Sequence, residues 1–264
     1  MCVLKMRNNK GKYKYLGKRI AKIDSLDKVT GKAIFGSDLR LDNMVFGKIL
    51  RSPYAHAKIK SIDTSLAEAA DGVVAVITGD DFPNLPKGAP VNIGKRVADI
   101  YSISQVAMAR NKVHFYGQPV AAVAASTIFQ AEMALALIKI EYEPLVPVLD
   151  INEAIKENSP RLHDEMVTVR NDGSTVYTKD TNVAQYIELD VGDTNKGFAE
   201  ADVVVDCSFE TQIVHQGYIE PESETGLVNS NGEITIWAPT QGTFLHQEEL
   251  AALMDVPIEK ITVL

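Results

Sequence analysis

Cysteine is almost missing from this 264-residue chain, which has only Cys2 and Cys207. Two cysteines without a paired spacing exclude zinc and iron–sulfur sites, which need about four convergent ligands. They also exclude a disulfide framework, so a reducing, cytoplasmic setting is expected. Positive charge is short as well. A net charge of -8 argues against nucleic acid as a partner, because neutralising phosphates needs clustered Lys and Arg. The local exception is Lys5, Lys10, Lys12, Lys14 and Lys18, which reads as a solvated, flexible tail over 1–16. No apolar run approaches the ~20 residues of a membrane span, and the first residues lack the apolar core of a signal peptide. Neither a G-x-S-x-G elbow nor a phosphate-binding glycine loop occurs, and there is no internal repeat. What remains is the balance of a soluble globular protein, 45% apolar and 23% charged.

Along the chain, 44–52, "AHAKIKSIDTS" (55–65) and 72–78 read as strands, with a short helix at "SLAEAA" between the last two. Residues 82–101 carry Pro and Gly without clear periodicity and read as a long loop. The strongest unit follows. Val120 to Ala125 is a continuous run of small apolar residues, suited to a strand buried on both faces. Thr127 with Gln130 three positions later has the spacing of a capping box, and Ile128, Ala131, Leu135 and Ile138 share one helical face. "IKIEYEPL" returns as a strand. Positions 149–182 read as a linker holding one short helix near 153–156. Beyond it come a strand in 183–193, a helical turn at "TNKGFAEA" and a long strand at "DVVVDCSFETQIVHQ". A hairpin on Asn231-Gly232 follows, then a helix over 243–255 with Leu250, Leu253 and Met254 as its stripe, then the strand "KITVL". The class is α+β in two domains.

The densest collection of ligand-type residues is His215, Glu220, Glu222 and Glu224 in "HQGYIEPESE". His215 and Glu220 face opposite ways on a regular strand, and Pro221 bends the chain, so a turn-capping acidic loop fits better than a metal site. His56, His114, His163 and His246 lie far apart in sequence with no triad-like company. Cys207, mid-strand on an apolar face, reads as inert core. The lone Trp237 leads into "APTQGTF", where Pro239 must end the strand. Gln241 brings one acceptor oxygen and two donor hydrogens to that end, beside Gly242, which permits close backbone approach. A helix-capping Thr next to an exposed Gln is the simpler account of the same letters.

The segments nonetheless come in an order that resembles the molybdenum-binding large subunit of the xanthine dehydrogenase/aldehyde oxidase family, the molybdenum hydroxylases. The resemblance runs through "GKRIAKIDSLDKVTGKAIFGSDL", "RSPYAHAKIKSID", "GVVAVITGDDFP", "VHFYGQPVAAVAA", "IEYEPLVPVLDINEAI", "GDTNKGFAEADVVV", "EPESETGLV" and "PTQGTF". It implies an α/β hammerhead domain over 17–149, a linker over 150–182, and over 183–264 the opening of a molybdenum-cofactor-binding α/β domain. Enzymes of this family hydroxylate a carbon with oxygen from water, on molybdenum held by the dithiolene of a molybdopterin cofactor. Gln241 matches the glutamine that orients an oxygen ligand of that metal without coordinating it, so Gln241 and Gly242 are the expected cofactor-binding residues. The family's glycine-rich "GGxFGG"-type segment and its glutamate base have no counterpart here, so no catalytic residue is assigned. The expectation is therefore the N-terminal portion of a catalytic subunit, inactive and free of cofactor alone. A further polypeptide would complete it, and iron–sulfur and FAD subunits would take its electrons. Isolated, it is expected to self-associate through its second half. The rival readings are a catalytically silent scaffold and a small hydrolase using His215 and Glu220.

Overall fold

The computed structural model describes residues 13–85, 90–93, 96–164, 168–170, 175–177, 181–189 and 191–264. After helix α1 (Ser25–Val29), strand β1 (Phe46–Arg51), strand β2 (Ala57–Asp63), helix α2 (Ser65–Glu68) and strand β3 (Val73–Thr78) follow the expected order. Then come β4 (Pro90–Ile93), β5 (Arg96–Asp99), helix α3 (Ile100–Ala107), β6 (Lys112–Val113), β7 (Pro119–Ala125), helix α4 (Ile128–Leu135) and β8 (Lys139–Pro144). Two antiparallel sheets result, ordered β1-β7-β3 and β6-β2-β8.

The small apolar run of β7 explains this half. Ala121, Val123 and Ala125 are buried against α2 and α4, while Val120 faces the second sheet with Ala109 and Val113. Alanines at 131 and 134 let α4 lie close to the strand, and both are fully buried. Thr127 caps α4 by accepting from the Gln130 N–H at 3.1 Å. The Gln130 side chain accepts from the Thr127 hydroxyl at 2.9 Å, so the reciprocal bond of a full capping box is replaced by a hydroxyl–carboxamide bond.

The stretch 82–101 is not a plain loop. It holds the β4–β5 hairpin and the start of α3, with Leu85, Ile93 and Ile100 buried. Their partners are Leu245, Ala252 and Leu253, far along the chain, and such tertiary cover leaves no local periodicity. The region 149–182 likewise carries more than helix α5 (Ile151–Ala154): strands β9 (Thr168–Arg170) and β10 (Thr175–Tyr177) pair there, and β11 (Gln185–Tyr186) joins β9 in parallel. Asn182 Nδ2 donates to the Ala154 and Pro160 carbonyls at 3.0 and 2.9 Å, and Lys112 Nζ bonds Asp164 at 2.8 Å.

In the second half, helix α6 (Thr194–Glu200) precedes a three-stranded sheet of β12 (Thr225–Val228), β13 (Ile234–Trp237) and β14 (Ile261–Val263), with helix α7 (Thr243–Met254) between the last two. β13 pairs antiparallel with β12 and parallel with β14. The hairpin turns where expected, with Gly232 at φ 74 and Asn229 Oδ1 accepting from the Asn231 and Glu233 amides. Leu245 replaces Met254 in the helical stripe; Met254 is 39% exposed.

The long strand expected from 202 onward is absent as a ladder. Residues 203–217 belong to no helix or strand, and all of 201–219 are exposed. Cys207 is exposed too, correcting its reading as core. The alternation of the sequence is that of a strand, but a strand also needs a hydrogen-bonding neighbour, and among the described residues none lies beside it. Ile261 in β14 is buried, while β14 stays at the edge of its sheet and 203–214 adds an exposed apolar surface of its own.

Candidate functional site

The end of β13 builds the site. Pro239 supplies no N–H, and the chain leaves the sheet in a turn held by a single hydroxyl. Thr240 Oγ1 accepts from the Gly242 N–H at 3.0 Å and lies 2.9 Å from His246 Nδ1. His246 stands on the first turn of α7, its own N–H donating to the Gly242 carbonyl at 3.0 Å. Threonine, glycine and histidine thus lock the turn, and Gln241 projects from its apex. The Gln241 carboxamide makes one long bond, Nε2 donating to the Tyr218 hydroxyl at 3.4 Å.

Around this turn lies a cleft of about 710 Å³, lined by Phe35, Tyr218, Glu220, Glu222, Thr240 and Gln241 among others. Its far wall comes from the N-terminal region. A Cβ on Gly36 would stand 2.4 Å from the Ser223 carbonyl oxygen, so only glycine allows 34–36 to lie flush against 222–223. Close backbone approach is therefore required at Gly36. At Gly242 an added Cβ would make only an ordinary 3.5 Å contact with Leu245.

The structure sorts the acidic cluster of the sequence. Glu220 and Glu222 line the Gln241 cleft, while Glu224 lines a neighbouring, mostly apolar cavity of about 410 Å³ beneath α7. His215 turns its ring edge toward Tyr218 and accepts from the Gly217 N–H at 2.9 Å, so it is not paired with Glu220. Among the described residues no three His, Cys, Asp or Glu side chains converge as metal ligands. The polar groups at the cleft suit hydrogen bonding to a bound group better than ligation of a bare ion. Tyr218, His246 and Gly36 are the residues that sequence reasoning missed. The Thr-x-Gly spacing at 240–242 is the one local signal that was available, since a threonine hydroxyl commonly closes such a turn.

Three other histidines serve the first half. His114 and His163 stack with ring centres 4.1 Å apart, and His56 Nδ1 lies 2.6 Å from the Val146 carbonyl. Burial first, then the neighbouring His163, Lys112 and His56, push His114 down to about 3. Burial and Lys112 also hold His163 below its ordinary value.

Comparison with known proteins gives this geometry a family. Residues 30–146 match the model of the aldehyde oxidase and xanthine dehydrogenase a/b hammerhead domain, and 176–264 match that of the molybdopterin cofactor-binding domain. The nicotinate dehydrogenase large molybdopterin subunit of Eubacterium barkeri is 32% identical over 252 residues, 96% of this chain and 53% of that protein. The carbon monoxide dehydrogenase large chain of Afipia carboxidovorans is 28% identical over 94% of this chain and 30% of its own length. Among solved structures, reconstituted CO dehydrogenase from Oligotropha carboxidovorans superposes with a TM-score of 0.74 at 28% identity, covering 94% of this chain and 30% of that one. Quinoline 2-oxidoreductase from Pseudomonas putida 86 gives 0.72 at 26%, with the same coverage. The chain spans about half, or less, of the length of these relatives. With both domain models matched in order along most of its residues, the chain belongs to the xanthine dehydrogenase/aldehyde oxidase family of molybdenum hydroxylases.

Proposed function

We propose that this chain forms part of the catalytic subunit of a cytoplasmic molybdenum hydroxylase, which oxidises a carbon centre with oxygen derived from water. A further polypeptide completes the site, and iron–sulfur and FAD subunits carry the electrons away. The observation that carries the reading is the cleft at Gln241, where a glutamine on a locked turn faces a polar space bordered by both matched domains. When bound, the molybdopterin-type cofactor supplies the two-electron oxidation of the substrate carbon. Gln241 donates its amide hydrogens to an oxygen of that bound group, and Thr240 and His246 fix the backbone from which it does so. Gly242 opens α7 at this point, and its N–H holds the Thr240 hydroxyl of the turn. Phe35 and the close contact at Gly36 form one wall of the cleft. The matched relatives are named for nicotinate, carbon monoxide and quinoline, so the substrate class is a carbon centre and no narrower.

Metal analysis tests the reading. The chain purified alone is expected to hold no stoichiometric molybdenum, and the complete subunit to hold it. Gln241→Ala in the complete subunit is expected to keep the metal and lower kcat by about 10- to 100-fold. Stoichiometric molybdenum on the chain alone would remove the need for a further polypeptide. A complete subunit without metal or turnover would support a silent scaffold instead.

A further inference from the structure

The stretch 202–214 is exposed and belongs to no helix or strand, yet its sequence has the two-faced pattern of a sheet strand. Val203, Val205, Cys207, Phe209 and Ile213 alternate onto one face, and Phe209 and Ile213 are 92% and 102% exposed. Asp202, Asp206 and Glu210 fall on the other, together with Val204 and Val214. Among the described residues no ladder bond reaches 203–214, so a row of free N–H and C=O groups runs beside an apolar face that helix α6 approaches only at Val203 to Val205. Folded proteins cover such an edge, because it recruits another strand.

We propose that 202–214 is a docking strand for the polypeptide carrying the rest of the molybdenum subunit. That partner adds a strand whose apolar side chains cover Val203, Val205, Phe209 and Ile213 and whose Lys or Arg side chains stand opposite Asp202, Asp206 and Glu210. The inference rests on the reading above that a further polypeptide completes the site. Two observations select this occupant. The solved relatives cover 94% of this chain with 30% of their own, and 202–214 lies inside the matched cofactor-binding domain, so the relatives have ample further chain to place against it. A second copy of this chain fits poorly. Self-pairing that joins the apolar faces also joins the acidic faces, and pairing centred on Ser208 sets Asp206 opposite Glu210, a destabilising like-charge pair.

Cys207 reports on the contact. In a Cys2→Ser background, maleimide labelling of Cys207 and amide hydrogen exchange over 203–214 are followed in the chain alone and in the complete subunit. Alone, the thiol should react as a free surface thiol at every protein concentration. In the complete subunit, labelling should slow roughly tenfold or more, with protection at alternate amides, as for any ladder-bonded strand. The double variant Asp206→Lys, Glu210→Lys should weaken assembly by roughly tenfold or more, with an unchanged circular dichroism spectrum in the chain alone. A subunit that assembles and loads molybdenum while Cys207 stays fully reactive overturns the docking strand and leaves the functional reading intact. Protection that appears in the chain alone with rising concentration assigns the edge to a second copy and overturns the proposal. A chain that forms no assembly with the remainder sinks both.

Discussion

Strand β7 and the stretch 202–214 are the two most strand-like apolar segments of the molecule, and they meet opposite fates. β7 lies between β1 and β3, with α4 on one face and the second sheet on the other, and Val120, Ala121, Val123 and Ala125 are all but invisible to solvent. The later segment meets only helix α6, through Val203 to Val205, and its side chains are exposed without exception. The difference extends to the halves that contain them. Within 183–264, Ile234 and Ile261 are the only buried apolar side chains among the described residues, whereas the first half has two layered clusters around β7. One half is held by its own core. The other holds the Gln241 turn on a sheet with little buried apolar surface of its own.

The sharpest way to break this comparison is to place the same charge in both segments. Val123→Asp buries a carboxylate with no partner and should cost more than about 4 kcal/mol, unfolding the first half in urea denaturation followed by circular dichroism. Phe209→Asp, on a side chain already in water, should change the stability of the chain alone by less than about 0.5 kcal/mol. Comparable losses at the two positions would show that 202–214 is packed in solution.

Acid provides the next largest effect, again confined to the first half. His114 and His163 are held below the ordinary 6.5 by burial, His114 at about 3, so between about 3 and 6.5 the native state binds fewer protons than the unfolded chain. Their contribution is complete above pH 6.5 and is lost as the pH falls toward 3, on the order of a few kcal/mol. His114→Gln should flatten the acid limb of a stability–pH curve. A variant curve parallel to that of the parent would locate the acid sensitivity elsewhere.

The smallest contrast uses glycine. Gly72 has φ 76, and an added Cβ would meet the Gln130 side chain at 2.1 Å, so Gly72→Ala should cost about 1–2 kcal/mol. Gly226 in β12 has nothing within 4 Å of a Cβ, and Gly226→Ala should be neutral or stabilising by about 0.5 kcal/mol. Thermal melts of the pair separate the crowded half from the open one; a loss at Gly226 would mean that the open half is covered.

Which of these features the sequence announces depends on how far apart the interacting residues lie. The unit from β7 to β8 is legible because its determinants are neighbours: an apolar run, the Thr127 cap and a four-residue helical rhythm. So is the hairpin, since Gly232 carries its own turn geometry. The helix over 243–254 shows its length but not its packing face, because Leu245 and Leu253 take their direction from Leu85, Ile93 and Ile100. At the site, Gln241 stands out through family pattern alone. Tyr218 and Gly36 enter by tertiary approach, and His246 becomes meaningful only once the turn folds it back onto Thr240. The segment 202–214 misleads for the same reason: alternation describes one strand, and a sheet is a property of at least two.

Helix α7 bears on how the two halves must move. Its first turn carries the threonine–histidine lock beneath Gln241, and Leu245, Ala252 and Leu253 rest on the hydrophobic patch of the hammerhead. Contacts near both ends fix a rod about 18 Å long against tilting as well as sliding. The glutamine is therefore referenced to the first domain as well as to the sheet from which its turn emerges, where Gln247 Nε2 of the same helix donates to the Ile261 carbonyl. Loosening the patch at Ile100 would shift a side chain it never touches, and the hammerhead becomes part of the mount on which Gln241 is aligned.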